Sequence, residues 1–516
     1  MKKTNRSSHD ELNLTNYSAM KNILYCLNNT VKCHSPLLCL CSLKILIGTL
    51  IPILTTILPK IVIEMVTAKQ SVYKLATAII IFMGSLAILS GADKFLTKMI
   101  YHQKFRMNTF YLKRAALKGL TTDYINQENG IFRKLQIESF ECCNGNYSPL
   151  SNIYEILIKL CTSFLGLSVF GSMLIQVHLG IIIFLIIITV ISYYLNQKII
   201  AWTAANNKER IGYQQRLHYI NDISGDIRSA KDIRLYKIAV WFSDIYNTNM
   251  KGIADWYKRF TRKLFGIAVY DSSLAFLRES IVYFYLLYLI WNGKITVAEF
   301  VMYLSVVTNF SSWLGNIFSD LSSLNQINLK INYFRSYLEY PETFNRNNGV
   351  TNSVDDCPKE IELKNVSYRY EGANHNTLQN INLKINPGEH IAIVGLNGAG
   401  KTTLVKLLCG LIDPTEGQIF YDGIDIRKYN RTAFYRLFSA VFQQFSILPV
   451  TIAEIVSETT PENINYNKVK RCLIVAGLWN KIEQLTNGVN SQFGKTIYDD
   501  GVEFSGGEIQ KLLLAR

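Results

Sequence analysis

A chain of 516 residues is too long for one compact domain, so two or three are expected. Hydrophobic residues make up 49% of it and charged residues only 18%, below the roughly 25% charged of ordinary globular proteins, and the apolar residues are gathered in blocks of bilayer-spanning length, which favours a membrane protein. The net charge of +15 fits either a nucleic-acid partner or the cytoplasmic loops of such a protein. The first 35 residues or so are polar, which argues against a cleaved secretory signal and reads as a cytosolic segment over 1–35. Six apolar segments then follow near 37–58, 73–92, 153–176, 178–196, 272–291 and 296–318. The fourth, HLGIIIFLIIITVISYYLN, is apolar on every face, which a soluble surface helix does not tolerate. The fifth and sixth are weaker, because they carry Arg278, Glu279, Glu299 and Asp320.

The gaps between these segments carry topology. Short turns join the segments in pairs, and two gaps of roughly 60 residues separate the pairs. The long gaps are basic and compatible with helix: 94–134 holds Lys94, Lys98, Lys104, Arg106, Lys113 and Arg114 among others, and 198–263 is similar. By contrast, the short turns at 176–178 and 292–294 offer only Lys294. That asymmetry is the positive-inside pattern and excludes nucleic acid as the reason for the charge. It predicts three outward hairpins on long helices that continue into the cytosol, a six-helix all-α membrane domain over 36–340. In the fifth segment Asp271 and Arg278 lie two helical turns apart on one face. An ionisable group at the bilayer centre is costly, so these two face either a water-filled path or protein partners near the cytosolic interface. The ten cysteines, Cys142 and Cys143 adjacent among them, lack zinc-site spacing and read as free thiols.

Around 341–356 the composition turns to Asn, Glu, Asp and Thr, and a soluble α/β pattern starts, so a second domain is placed over 357–516. A strand is predicted at 362–370, a buried strand at 391–394, and a hairpin from 418–421 and 424–426 across Asp422-Gly423. The strongest motif is Gly395-Leu396-Asn397-Gly398-Ala399-Gly400-Lys401-Thr402, a full GxxxxGK[ST] between an apolar run and a helical one. Its glycines let the backbone N–H groups curl toward phosphate, and the following helix adds its positive end. Lys401 is suited to the β- and γ-phosphates and the Thr402 hydroxyl to magnesium. A complete pattern with both flanks outweighs a chance glycine-rich turn.

A second motif, Phe504-Ser505-Gly506-Gly507-Glu508, opens another helical run. It is similar to the signature sequence of the ATP-binding-cassette (ABC) family, with Phe and Glu where that family usually has Leu and Gln. Taken alone it would be an ordinary serine cap; in one domain with the phosphate loop it resembles an ABC exporter half-transporter. The resemblance implies ATP and Mg2+ as cofactors. It places ATP contacts at Tyr370, Gly395, Asn397, Gly398, Ala399, Gly400, Lys401, Thr402, Thr403 and Gln443, with magnesium at Thr402 and Gln443. Ser505, Gly506, Gly507 and Glu508 would meet the nucleotide held by a second half-transporter, self or different. Segments 122–136 and 222–242 look like the loops through which that family couples its membrane helices to its cassettes. The transported substrate is not identified.

The sequence stops within the helix that the signature begins. The family places its magnesium-ordering Asp, water-polarising Glu and γ-phosphate His beyond that point, so the resemblance implies no catalytic residue within these 516 positions. Asp499, Asp500 and Glu503 precede the signature and are not candidates. The expectation is a chain that cradles ATP without hydrolysing it alone, and whose residues 357–516 do not fold in isolation. A non-hydrolysing ATP-binding regulator and an inactive gene fragment are the competing readings.

Overall fold

The computed structural model describes residues 15–226, 229–346, 348–351, 359–442, 447–495 and 497–516. They divide into two compact units: one runs to Thr122 and resumes over Asn126–Pro341, the other comprises Asp123–Ile125 and Glu342–Arg516.

The first unit is helical. α1 (Ala19–Lys32) is followed by α2 (Leu37–Thr67), α3 (Val72–Thr121), the short α4 (Tyr124–Glu128), whose first two residues belong to the second unit, and α5 (Gly130–Cys143). Then come α6 (Pro149–Ile175), α7 (Leu179–Gly225), α8 (Ala230–Leu235), α9 (Ala239–Trp291) and α10 (Val297–Leu338). All six apolar segments coincide, to within one residue at their ends, with parts of longer helices. At 53 residues, α9 is about 80 Å long at 1.5 Å per residue, more than twice the roughly 30 Å of a hydrocarbon core. Among the described residues, five helices are long and apolar enough to cross a membrane: α2, α3, α6, α7 and α9.

The sixth expected segment lies in α10, which falls short of that composition for a reason visible in its packing. α10 lies against α6, α5, α2, α7 and α9, so its polar groups face protein: Asn309 donates to the Thr56 hydroxyl at 3.1 Å, and Asn22 donates to Asn328 and Asn332 at 2.7 Å each. A helix enclosed by its neighbours does not need an apolar outer face. Close approach of α6 and α10 depends on Gly166, where any Cβ would fall inside the Trp313 ring, at 1.4 Å from its nearest carbon. Around this contact Phe170, Leu286, Val306 and Phe310 form one buried cluster; Tyr111, Phe132, Tyr154, Phe334 and Tyr337 form another. Glu299 sits at the start of α10, where its carboxylate accepts the Thr296 N–H at 2.9 Å and completes a capping box.

The second unit opens on an antiparallel sheet of order β2-β1-β3-β4, with β1 (Ile361–Tyr368), β2 (Leu378–Ile385), β3 (Glu416–Tyr421) and β4 (Ile424–Asp425). β3 and β4 are joined by Asp422-Gly423, both at positive φ, the turn that an Asp-Gly pair favours. Leu363, Val366 and Ile419 from the sheet, with Leu407 from α11 (Lys401–Leu408) and Phe434 from α12 (Arg431–Tyr435), close one core. A second core joins Ile452, Leu473, Ile482 and Leu512, one each from α13 (Ile452–Ser457), α14 (Tyr466–Val475), α15 (Trp479–Glu483) and α16 (Gly506–Ala515). The expected buried strand at 391–394 is corrected: the segment is not a strand, pairs with none of the described strands, and exposes its side chains, Val394 to 89%. Strand structure requires a hydrogen-bonded neighbour as well as an apolar run, and β1–β4 are paired only among themselves.

Candidate functional site

The phosphate loop occupies the turn between 391–394 and α11. Gly398 and Gly400 adopt φ of 86° and 87°, the left-handed region that glycine enters without steric cost. At Gly400 space forbids a side chain as well, since a Cβ would lie 2.7 Å from Leu378 Cδ2 and 3.1 Å from the Thr377 carbonyl oxygen. Gly400 caps α11 without a side chain, leaving its first N–H groups available, as an anion site needs. Asn397, Gly398 and Ala399 are exposed, and so is Thr402. Lys401 curls back over the loop, its ammonium donating to the Gly395 and Leu396 carbonyls at 2.9 and 2.8 Å. The loop therefore already holds the cation at the hollow that its glycines create.

Tyr370 stands beside this loop. Its hydroxyl and the Thr403 hydroxyl are 3.1 Å apart, and its ring meets Tyr368 edge-on at 4.9 Å. Thr403 is buried, so its side chain supports α11 from within the core. Gln443, the remaining expected contact, lies outside the described residues.

The 504–508 motif forms the start of α16, with Ser505 at the cap. Glu508 reaches back to accept the Ser505 N–H at 2.8 Å, and its other oxygen accepts from the Lys481 ammonium at 2.6 Å. Lys481, followed by that N–H, drives the Glu508 carboxyl down to about 2, well below its ordinary range. The same ammonium lies 5.4 Å above the Phe504 ring. Lys481 escaped the sequence reading because it belongs to α15, 27 residues before its partner, and no local spacing announces such a pair.

In the helical unit, Asp271 of α9 accepts hydrogen bonds from Ser192 and, at 2.9 Å, from Asn196, both on α7. Arg278 lies beside its chain neighbour Glu279, 3.4 Å away. The two residues expected on one face are thus held by different partners. Next to the Asp271 contacts opens a cavity of about 430 Å³, lined by Ser192, Asn196, Tyr193, Phe318, Ser322 and Gln326 among others.

Long apolar helices in one unit and a glycine-rich loop with an uncapped helix start in the other suit a membrane protein that binds a phosphate ligand. The comparisons are more specific. Residues 378–516 match the family described as ABC transporter. The subtilin transport ATP-binding protein SpaT of Bacillus subtilis is 25% identical over 465 residues, 88% of this chain and 73% of that protein. The ATP-dependent lipid A-core flippase of Paraburkholderia xenovorans is 38% identical over 159 residues, 30% of this chain and 26% of the flippase. The chain therefore spans most of the first relative but about a quarter of the second. A solved bacterial Atm1-family ABC exporter with ATP bound superposes with a TM-score of 0.74 at 16% identity, over 92% of this chain and 82% of that one, which shows the fold. The chain is a homologue of the ABC exporters, and its C-terminal part is their ATP-binding domain.

Proposed function

We propose that this protein is one half of a dimeric ABC exporter that lies in the cell membrane and uses ATP to move a cargo outward. The basic long gaps put its N-terminus and ATP-binding unit on the cytoplasmic side. The observation that carries the reading is the phosphate loop: two left-handed glycines, an uncapped helix start and a lysine already turned into the hollow. In this reading the loop amides and Lys401 hold the β- and γ-phosphates, Thr402 and Gln443 hold Mg2+, and Tyr370 stacks on the adenine. Ser505, Gly506 and Gly507 complete the site of the nucleotide bound by a second half-transporter. These residues account for binding and positioning the nucleotide.

For the cargo, the extent of the matches favours one class. The match to the subtilin transporter runs over most of the chain, membrane helices included, whereas the flippase match is confined to about a third. A cargo of the bacteriocin kind is therefore proposed, with the polar cavity between α7 and α10 on its path. The test is nucleotide photolabelling of membranes that contain the chain. Lys401→Ala is expected to weaken ATP binding by about tenfold or more, the worth of one lost charge-assisted contact; equal labelling of variant and wild type would end the assignment.

A further inference from the structure

An acidic residue at the mouth of an anion site is a contradiction that the fold has to resolve. The capping box at the start of α16 takes up the Ser505 and Glu508 N–H groups, which leaves those of Gly506 and Gly507 for an anion. Glu508 is the third residue of that helix, and its charge would repel a phosphate approaching the same amides. The structure answers the repulsion locally. One Glu508 oxygen is turned back onto the Ser505 N–H and the other is paired with Lys481. Lys481 also covers Phe504, so both positions at which the motif departs from the family pattern meet one ammonium group.

We infer that Lys481 is a positioning residue of the 504–508 motif: its ammonium neutralises Glu508 and seats Phe504, which leaves the start of α16 electrostatically open to a nucleotide phosphate presented by a second copy of the chain. The inference rests on the dimeric reading above, in which a partner's nucleotide meets this helix end. The depressed Glu508 carboxyl agrees with it, since Lys481 is the largest cause of that depression. Stability alone does not account for the pair. Both side chains are substantially exposed, at 43% and 26%, and surface ion pairs contribute little to folding. A phosphate arriving at the helix end, however, would meet a carboxylate already paired with an ammonium instead of a bare one.

The test separates loading from closure in the full-length chain in lipid nanodiscs. Radiolabelled ATP bound at equilibrium reports the phosphate loop; the fraction retained after a rapid chase with unlabelled ATP reports nucleotide trapped between two copies. Lys481→Met keeps an unbranched side chain of similar length and removes the charge. It is expected to lower the trapped fraction by about tenfold while leaving loading unchanged, as loss of one charge-assisted pairing would. Glu508→Gln in the same chain removes the repulsion and is expected to restore trapping, which a merely structural lysine would not allow. Trapping by Lys481→Met equal to wild type, failure of Glu508→Gln to rescue it, or loss of loading in Lys481→Met would each overturn the inference. A wild-type chain that loads ATP but never traps it would overturn the dimeric reading as well, and so distinguishes the two failures.

Discussion

Gly400 and Gly506 make opposite demands on a substituted methyl group, and the contrast separates folding from function. Gly400 sits at φ 87° with Leu378 and Thr377 within 3.1 Å of any Cβ. Gly400→Ala therefore meets both a left-handed backbone and a clash, and is expected to cost at least about 1–2 kcal/mol and to abolish ATP loading, read by thermal unfolding and by labelled-ATP binding. A Cβ at Gly506 meets nothing within 4 Å. Gly506→Ala is expected to leave the melting temperature and ATP loading unchanged and to reduce only the ATP trapped between two copies; a shifted melting temperature would mean that the glycine serves the fold instead. Tyr370→Phe keeps the ring and loses the hydroxyl contact to Thr403, a change expected to cost about 0.5–1.5 kcal/mol in unfolding measurements. The phosphate loop could be read from the chain because its chemistry is local, three glycines and a lysine within eight positions. Lys481 could not, because its meaning depends on α15 and α16 sharing one core, to which they contribute Ile482 and Leu512.

At the scale of elements, the second unit is tied together where its two stretches of chain meet. Asp123 is fully buried and accepts hydrogen bonds from the Thr343 and Phe344 N–H groups at 2.6 and 3.0 Å and from Arg346 at 2.7 Å. Burial alone would raise its carboxyl; the Phe344 and Thr343 amides and the Arg346 guanidinium outweigh that and hold it below its ordinary value. A carboxyl depressed in the folded state adds stability that is fully present above its unfolded pKa, near about 3.9, and is lost as pH falls through the lower folded value. Asp123→Asn is expected to cost about 2 kcal/mol at neutral pH and to flatten the fall in stability below about pH 4; a variant with the wild-type acid profile would refute this. No local pattern marks Asp123, because its partners are about 220 positions away. The segment 391–394 shows the reverse case. Its apolar run looks like a strand, yet strand formation is decided by neighbours, and Ile391, Ile393, Val394 and Leu396 stand exposed. An apolar stretch with unpaired backbone is an aggregation template, so residues 342–516 expressed alone are expected to aggregate. A monodisperse fragment with a cooperative melting transition would show that this ledge is harmless.

For the molecule as a whole, the long apolar runs made the helical unit legible, since a run that suits lipid on every face leaves few other structures open. What they could not give was which helix would be enclosed: Asn309, Asn328 and Asn332 of α10 meet Thr56 of α2 and Asn22 of α1. The same partition decides whether the cavity beside α7 and α10 is a path. Asp271 is satisfied by Ser192 and Asn196 at its edge, and Ser322 and Gln326 add further polar groups to its wall. A space of this size with these polar side chains in its wall suits water better than lipid. Phe276 and Leu277, by contrast, point away from the bundle on the outer face of α9. Cysteine placed at Ser322 is therefore expected to react with a membrane-impermeant thiol reagent from the aqueous phase, and cysteine at Phe276 to stay unreactive until the bilayer is dissolved. Adding a bacteriocin of the subtilin kind should slow the Ser322→Cys reaction if the cavity lies on the cargo path. Equal, slow labelling at both positions would show a closed polar seam between helices, and the proposed path would have to lie elsewhere.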